Sequence, residues 1–92
     1  MSKYLIEVSH EANKLACERA IKSFLQTGSH FMTNADWGCS DGEHKAWIVV
    51  DLDTKEDALL VVPPEYRKNA KVVKLVKFSL DNVDRNLFVD HT

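Results

Sequence analysis

Two sets of residues in this chain have the types and spacing for chemistry, and both centre on the segment 30–51, HFMTNADWGCSDGEHKAWIVVD. The first set is soft or borderline metal donors. Cys39 and His44 flank a turn with four residues between them. His10, at the end of the first strand, supplies a third donor if the topology brings it to the same end of the sheet. Three thiol or imidazole donors are the number typical of an open transition-metal site. No second CxxC or HxxxH motif accompanies them, so the competing reading is unrelated polar residues around a loop.

The second set follows from strand alternation. If 30–37 and 44–52 are strands, His30, Met32, Asn34 and Asp36 share one side of the first. Lys45, Trp47, Val49 and Asp51 share one side of the second, and Glu7 and Ser9 belong to the neighbouring strand. A solvated face rarely carries a Trp, and a core face rarely carries charges. His30, Asp36 and Glu7 are the candidate catalytic bases, because an imidazole or carboxylate in a dry cavity shifts its pKa. Asn34 or Lys45 would orient an oxygen. Trp47 would shape the wall with one N–H donor, and Ser9 and Asp51 would complete the lining. Such a set suits proton transfer next to a carbonyl, while Trp with Asn suits oxygen chemistry without a cofactor. The competing reading is a polar dimer interface bridged by water.

The elements that must position these groups read clearly. KYLIEVS at 3–9 alternates as a strand. Ser9 or His10 opens a helix to about Thr27, with Ala12, Ala16, Ala20 and Phe24 recurring at i+4 and Cys17, Ile21 and Leu25 beside them. Cys17 reads as a small apolar core filler. Gly28 stops this helix. The two strands of the hairpin follow, joined by Gly38-Cys39-Ser40-Asp41-Gly42, where Asp-Gly is a turn signal. Trp37, by its parity, packs under the first helix or at the sheet end. Thr54 caps a second helix over 55–62, ended by Pro63-Pro64. A last strand spans 70–79, with Lys71, Lys74 and Lys77 at mixed parity, as on a guarded edge.

The order β-α-β-β-α-β is the split βαβ, ferredoxin-like pattern, with sheet order 4-1-3-2 and both helices on one face. The other face must meet solvent, a ligand or another subunit. Residues 1–80 are expected as one α+β domain. Residues 81–92 are a tail whose Leu87, Phe88 and Val89 would be buried by docking on a partner subunit.

Composition sets the remaining bounds. A chain of 92 residues has a thin core of its own, which oligomerisation would help. Twelve basic against 14 acidic residues leave a formal charge of −2, which argues against a nucleic-acid phosphate binder. No apolar run approaches a membrane span. The start MSKYLIEV lacks a charged-then-apolar leader, and two cysteines make no disulfide framework, so the cytoplasm is the expected compartment.

With YLIEVSH as a first strand, the pair HFMTNADW and HKAWIVVD, and the run KEDALLVVPPEYRKNAKVVKL, the chain resembles the dimeric α+β barrel proteins. These include muconolactone isomerase-like proteins and cofactor-free monooxygenases of the antibiotic-biosynthesis type. The resemblance spans residues 3–80 as a pattern of elements. It implies a homodimer whose open sheets pair face to face around a small organic ligand, with no cofactor. The expected function is binding of that molecule, or its acid/base conversion. The alternatives are a transition-metal protein using Cys39, His44 and His10, and a structural or regulatory homodimer without ligand.

Overall fold

The computed structural model describes residues 1–83 of the chain. The expected docking segment 87–89 lies outside them. The first strand, β1 (Ser2–Ser9), buries Tyr4, Ile6 and Val8 and leaves Leu5 and Glu7 half-buried on its other side. Helix α1 (Lys14–Gln26) begins later than the sequence reading placed it. Asn13 caps it, its Oδ1 accepting from the Ala16 N–H at 2.8 Å. The buried stripe is Cys17, Ala20 and Phe24, whereas Leu25 is exposed.

The expected strand over 30–37 is the main correction. Residues His30–Thr33 form a short helical turn, α2, and β2 is only Asp36–Trp37. Local hydrogen bonds explain the change. The Ser29 hydroxyl accepts from the N–H groups of Phe31 and Met32. Thr33 Oγ1 donates to the Ser29 carbonyl, and Asn34 Nδ2 donates to the His30 carbonyl at 2.6 Å. Side chains of this kind offer the backbone an alternative to a strand ladder. Met32 therefore turns into the core, with Phe31 and Ala35 packed beside it. That i, i+1, i+4 spacing is helical.

Strand β3 (Lys45–Leu52) buries Ala46, Ile48 and Val50. Thr54 Oγ1 accepts from the Asp57 N–H at 3.0 Å and caps α3 (Lys55–Val61). Arg67 donates to the Val62 and Leu60 carbonyls, satisfying groups that the end of α3 leaves open. A 3-10 segment, Pro64–Asn69, then sets Tyr66 edge-on to Phe24 and leads into β4 (Ala70–Leu75). β4 ends four residues before the expected limit of 79. Lys71 and Lys74 are exposed on it.

The result is a small α+β fold around an antiparallel four-stranded sheet of order β2-β3-β1-β4. One core joins Tyr4, Ile6, Val8, Ala46, Ile48 and Val50 to Phe24, Met32, Ala58 and Val62 from the helical side. All helical contributions lie on that one face. The opposite face carries Leu5, Glu7, Trp47 and the exposed Val49. Among the described residues, no helix is long and apolar enough to cross a membrane.

Candidate metal centre

The register of β1 against β3 carries the first two donors together. Ser9 pairs with Lys45, and the next step along the ladder sets His10 opposite His44, with the His10 N–H donating to the His44 carbonyl at 3.1 Å. Their rings meet edge to face, centroids 5.7 Å apart.

The turn before β3 brings the third. Gly38 receives hydrogen bonds at its carbonyl from Asp41 and Glu43, and its own N–H donates to Lys45. A Cβ at Gly38 would lie 2.8 Å from the Glu43 carbonyl oxygen and 2.8 Å from the Trp47 ring, so only glycine fits. Gly42 closes the turn at φ +82°, a left-handed conformation that glycine adopts without strain. Between them, the 3-10 turn Cys39–Asp41 turns back along the sheet end. Cys39 Sγ lies 3.2 Å from His10 Nε2.

Helix α1 supplies a fourth donor that the sequence reading assigned to the core. Cys17 is buried, as expected, but its thiol reaches His10 Nε2 at 3.1 Å and His44 Nδ1 at 3.3 Å. The signal that could have found it is positional. Cys17 sits one turn into a helix that starts just after His10, so it must lie near the same end of the sheet.

The ligand atoms of His10, Cys17, Cys39 and His44 all fall within 4.8 Å of one another. In a tetrahedral zinc site, bond lengths of about 2.3 Å to sulfur and 2.0–2.1 Å to nitrogen put adjacent N and S atoms about 3.5 Å apart. The observed N···S separations of 3.1–3.3 Å would open by a few tenths of an ångström to admit an ion. Trp37 closes the inner side of the cluster. Its ring lies 5.9 Å from His10 and 4.9 Å from the buried Phe24, which ties the site to the core. This contact with Phe24 of α1 meets the expectation of Trp37 under the first helix or at the sheet end, although the strand parity behind that expectation does not hold over 30–33.

Protonation follows the surroundings. Burial first, and the neighbouring His44 second, hold His10 below the ordinary imidazole range. Burial, then the hydrogen bond with Cys17 and the charge of Cys17, push the Cys39 thiol up. The neutral imidazole that a metal requires is therefore favoured, whereas the thiolate must be drawn out by the ion itself.

The second expected site does not assemble as one unit. Glu7, Lys45 and Trp47 meet on the open face: Trp47 Nε1 donates to Glu7 Oε1 at 3.1 Å, and Lys45 Nζ lies 3.8 Å from the same oxygen. Asp36 is opposite Trp47 in register and exposed. Ser9 is exposed and its hydroxyl reaches toward the Asn69 carbonyl at 3.5 Å. His30 and Asn34 left the sheet with the change from strand to helix. With Asp51 they line a separate hollow of about 400 Å³ along β3, beside Phe31 and Val49. The expected cavity lining is thus split between two places.

Compared with known proteins, the chain matches no family model, no curated protein and no solved structure. The likeness to dimeric α+β barrels therefore gains no support from relatives, and the function must be argued from the convergence of His10, Cys17, Cys39 and His44.

Proposed function

We propose that the chain binds one transition-metal ion through His10 Nε2, His44 Nδ1 and the thiolates of Cys17 and Cys39. The observation that carries this reading is the meeting of four soft or borderline donor atoms within 4.8 Å, each from a different segment. Unrelated surface residues have no reason to aim four such atoms at one point. Thiolate with imidazole suits zinc or copper(I) and disfavours magnesium and calcium, which take oxygen donors. Four protein donors close a tetrahedral shell and leave no position for substrate. The ion's role is then structural: it ties the end of β1, the first turn of α1 and the β2–β3 turn together. For a short chain with a thin core, such a tie contributes directly to folding.

The test is titration of reduced, untagged protein with cobalt(II), followed by displacement with zinc. Equimolar binding, the visible bands of tetrahedral cobalt and a thiolate charge-transfer band are expected. Absence of the charge-transfer band, together with a melting temperature indifferent to zinc, would overturn the reading.

A second reading concerns the open face. The element order and the single helix-covered face suit a ferredoxin-like subunit that pairs its bare sheet with a second copy around a small organic molecule. What supports it is the position of Val49, 55% exposed, beside the Glu7–Trp47–Lys45 contact. Light scattering decides the pairing; a monomer at micromolar concentration removes this reading and leaves the metal proposal untouched.

A further inference from the structure

We infer that the metal centre is oxidant-sensitive: a hydroperoxide closes a Cys17–Cys39 disulfide and releases the ion. This inference rests on the metal-site reading. The two thiols belong to different elements, α1 and the 3-10 turn after β2, yet their sulfur atoms lie within 4.8 Å of each other. Both cysteines are free, Cys17 buried and Cys39 half-buried. The pair is therefore unequal. Cys39 is the thiol a small oxidant reaches first, and Cys17 is the thiol held in place to resolve it.

The chemistry balances with a hydroperoxide as the oxidant. The Cys39 thiolate attacks one peroxide oxygen and the O–O bond breaks. Cys39 becomes a sulfenic acid, and the other oxygen leaves as hydroxide or alkoxide. The Cys17 thiolate then attacks the sulfenic sulfur, and the S–OH bond breaks, its hydroxide taking a proton to leave as water. Two electrons pass from the two thiolates to the peroxide. His10 and His44 remain as a pair of imidazoles, too few to hold the ion. The disulfide meanwhile inherits the tie between α1 and the β2–β3 turn, so the fold outlasts the loss of metal.

The experiment treats zinc-loaded protein with hydrogen peroxide and follows three readouts: zinc captured by a chromogenic chelator, free thiols, and intact mass. Release of the bound zinc, loss of both thiols and a mass lower by about 2 Da are expected, all reversed by dithiothreitol and zinc. The oxidised protein should melt above the reduced, metal-free form. A parallel arm treats reduced, metal-free wild type with the same peroxide; it should reach the same intramolecular disulfide, and an oxidised product without it overturns the inference. Zinc retained after peroxide overturns the inference, and so does zinc lost through sulfinic acids or intermolecular disulfides. Either result leaves the metal reading standing. Failure of the reduced wild type to bind zinc sinks that reading by itself, whatever the disulfide arm shows.

Discussion

The two polar groupings of this molecule were assembled by different means. Glu7, Lys45 and Trp47 meet because β1 and β3 are paired in register, and side chains directly opposite or diagonal on one face of a ladder touch as a matter of course. Of the metal donors, His10 and His44 are carried together by that same ladder, but Cys17 comes from a helix and Cys39 from a 3-10 turn, and no ladder obliges these two to join them. Contact between register neighbours is weak grounds for function. Convergence from four segments is strong grounds, because the turn, the helix start and the strand ends must all be placed for it.

The sharpest way to break this contrast is to remove one donor. Cys17→Ser and Cys39→Ser should each lower zinc affinity by at least about 100-fold, since loss of partners that merely orient a ligand already costs 10–100-fold. Glu7→Gln should leave affinity within about twofold. Competition titration against a chelator of known affinity measures both; equal losses in the two groups would erase the distinction.

Phe24→Ala tests how far the centre depends on the core. Phe24 is fully buried against Trp37, which in turn backs His10. A loss of about 3–5 kcal/mol of stability in urea unfolding is expected. Gly38→Ala should cost less, about 1–3 kcal/mol, because its new methyl group meets a backbone carbonyl and the Trp47 ring and the turn must shift. It should also weaken zinc binding through the displacement of Cys39, and a variant that binds zinc normally would show that the turn does not position the thiol.

Acidity separates the groups further. Zinc displaces protons from the thiols, so affinity should fall as pH falls, by roughly tenfold per unit for each proton displaced. For reduced, metal-free protein the two shifted groups act at opposite ends. His10 is held below the ordinary imidazole value, so the unfolded chain takes up its proton first, and stability declines as pH falls through that value. Cys39 is held above the ordinary thiol value, so the unfolded chain loses its proton first, and stability declines as pH rises through the thiol range. Denaturation at a series of pH values should therefore give a plateau between the two ranges. The smallest effect expected is that of Lys45→Gln on stability, under about 1 kcal/mol, because its ion pair with Glu7 is long, at 3.8 Å, and still partly open to solvent.

Much of the scaffold was legible from residue pattern. Tyr4, Ile6 and Val8, and Ala46, Ile48 and Val50, alternate as half-buried strands must. Gly28, Thr54 and Pro63-Pro64 marked boundaries by backbone chemistry that does not depend on distant contacts. The expected strand over 30–37 fails at its start because the apolar residues Phe31, Met32 and Ala35 have helical rather than alternating spacing. The Ser29 cap was the better signal. Cys17 was read as filler because burial alone is blind to which neighbour a thiol faces.

Residue pattern alone was enough for β1 and β3, for the order of the main elements and for His10 and His44 standing at one sheet end, since alternation and turn chemistry are local. It determined, too, that Cys39 would stand on a tight glycine-flanked turn. Only the tertiary structure decided that Cys17 joins these three and that His30 does not join Glu7. The physical reason is that a donor's direction depends on where its helix starts and how that helix docks on the sheet. Asn13 fixes the start of α1, and Phe24 against Trp37 fixes its docking, through contacts between residues distant in the chain.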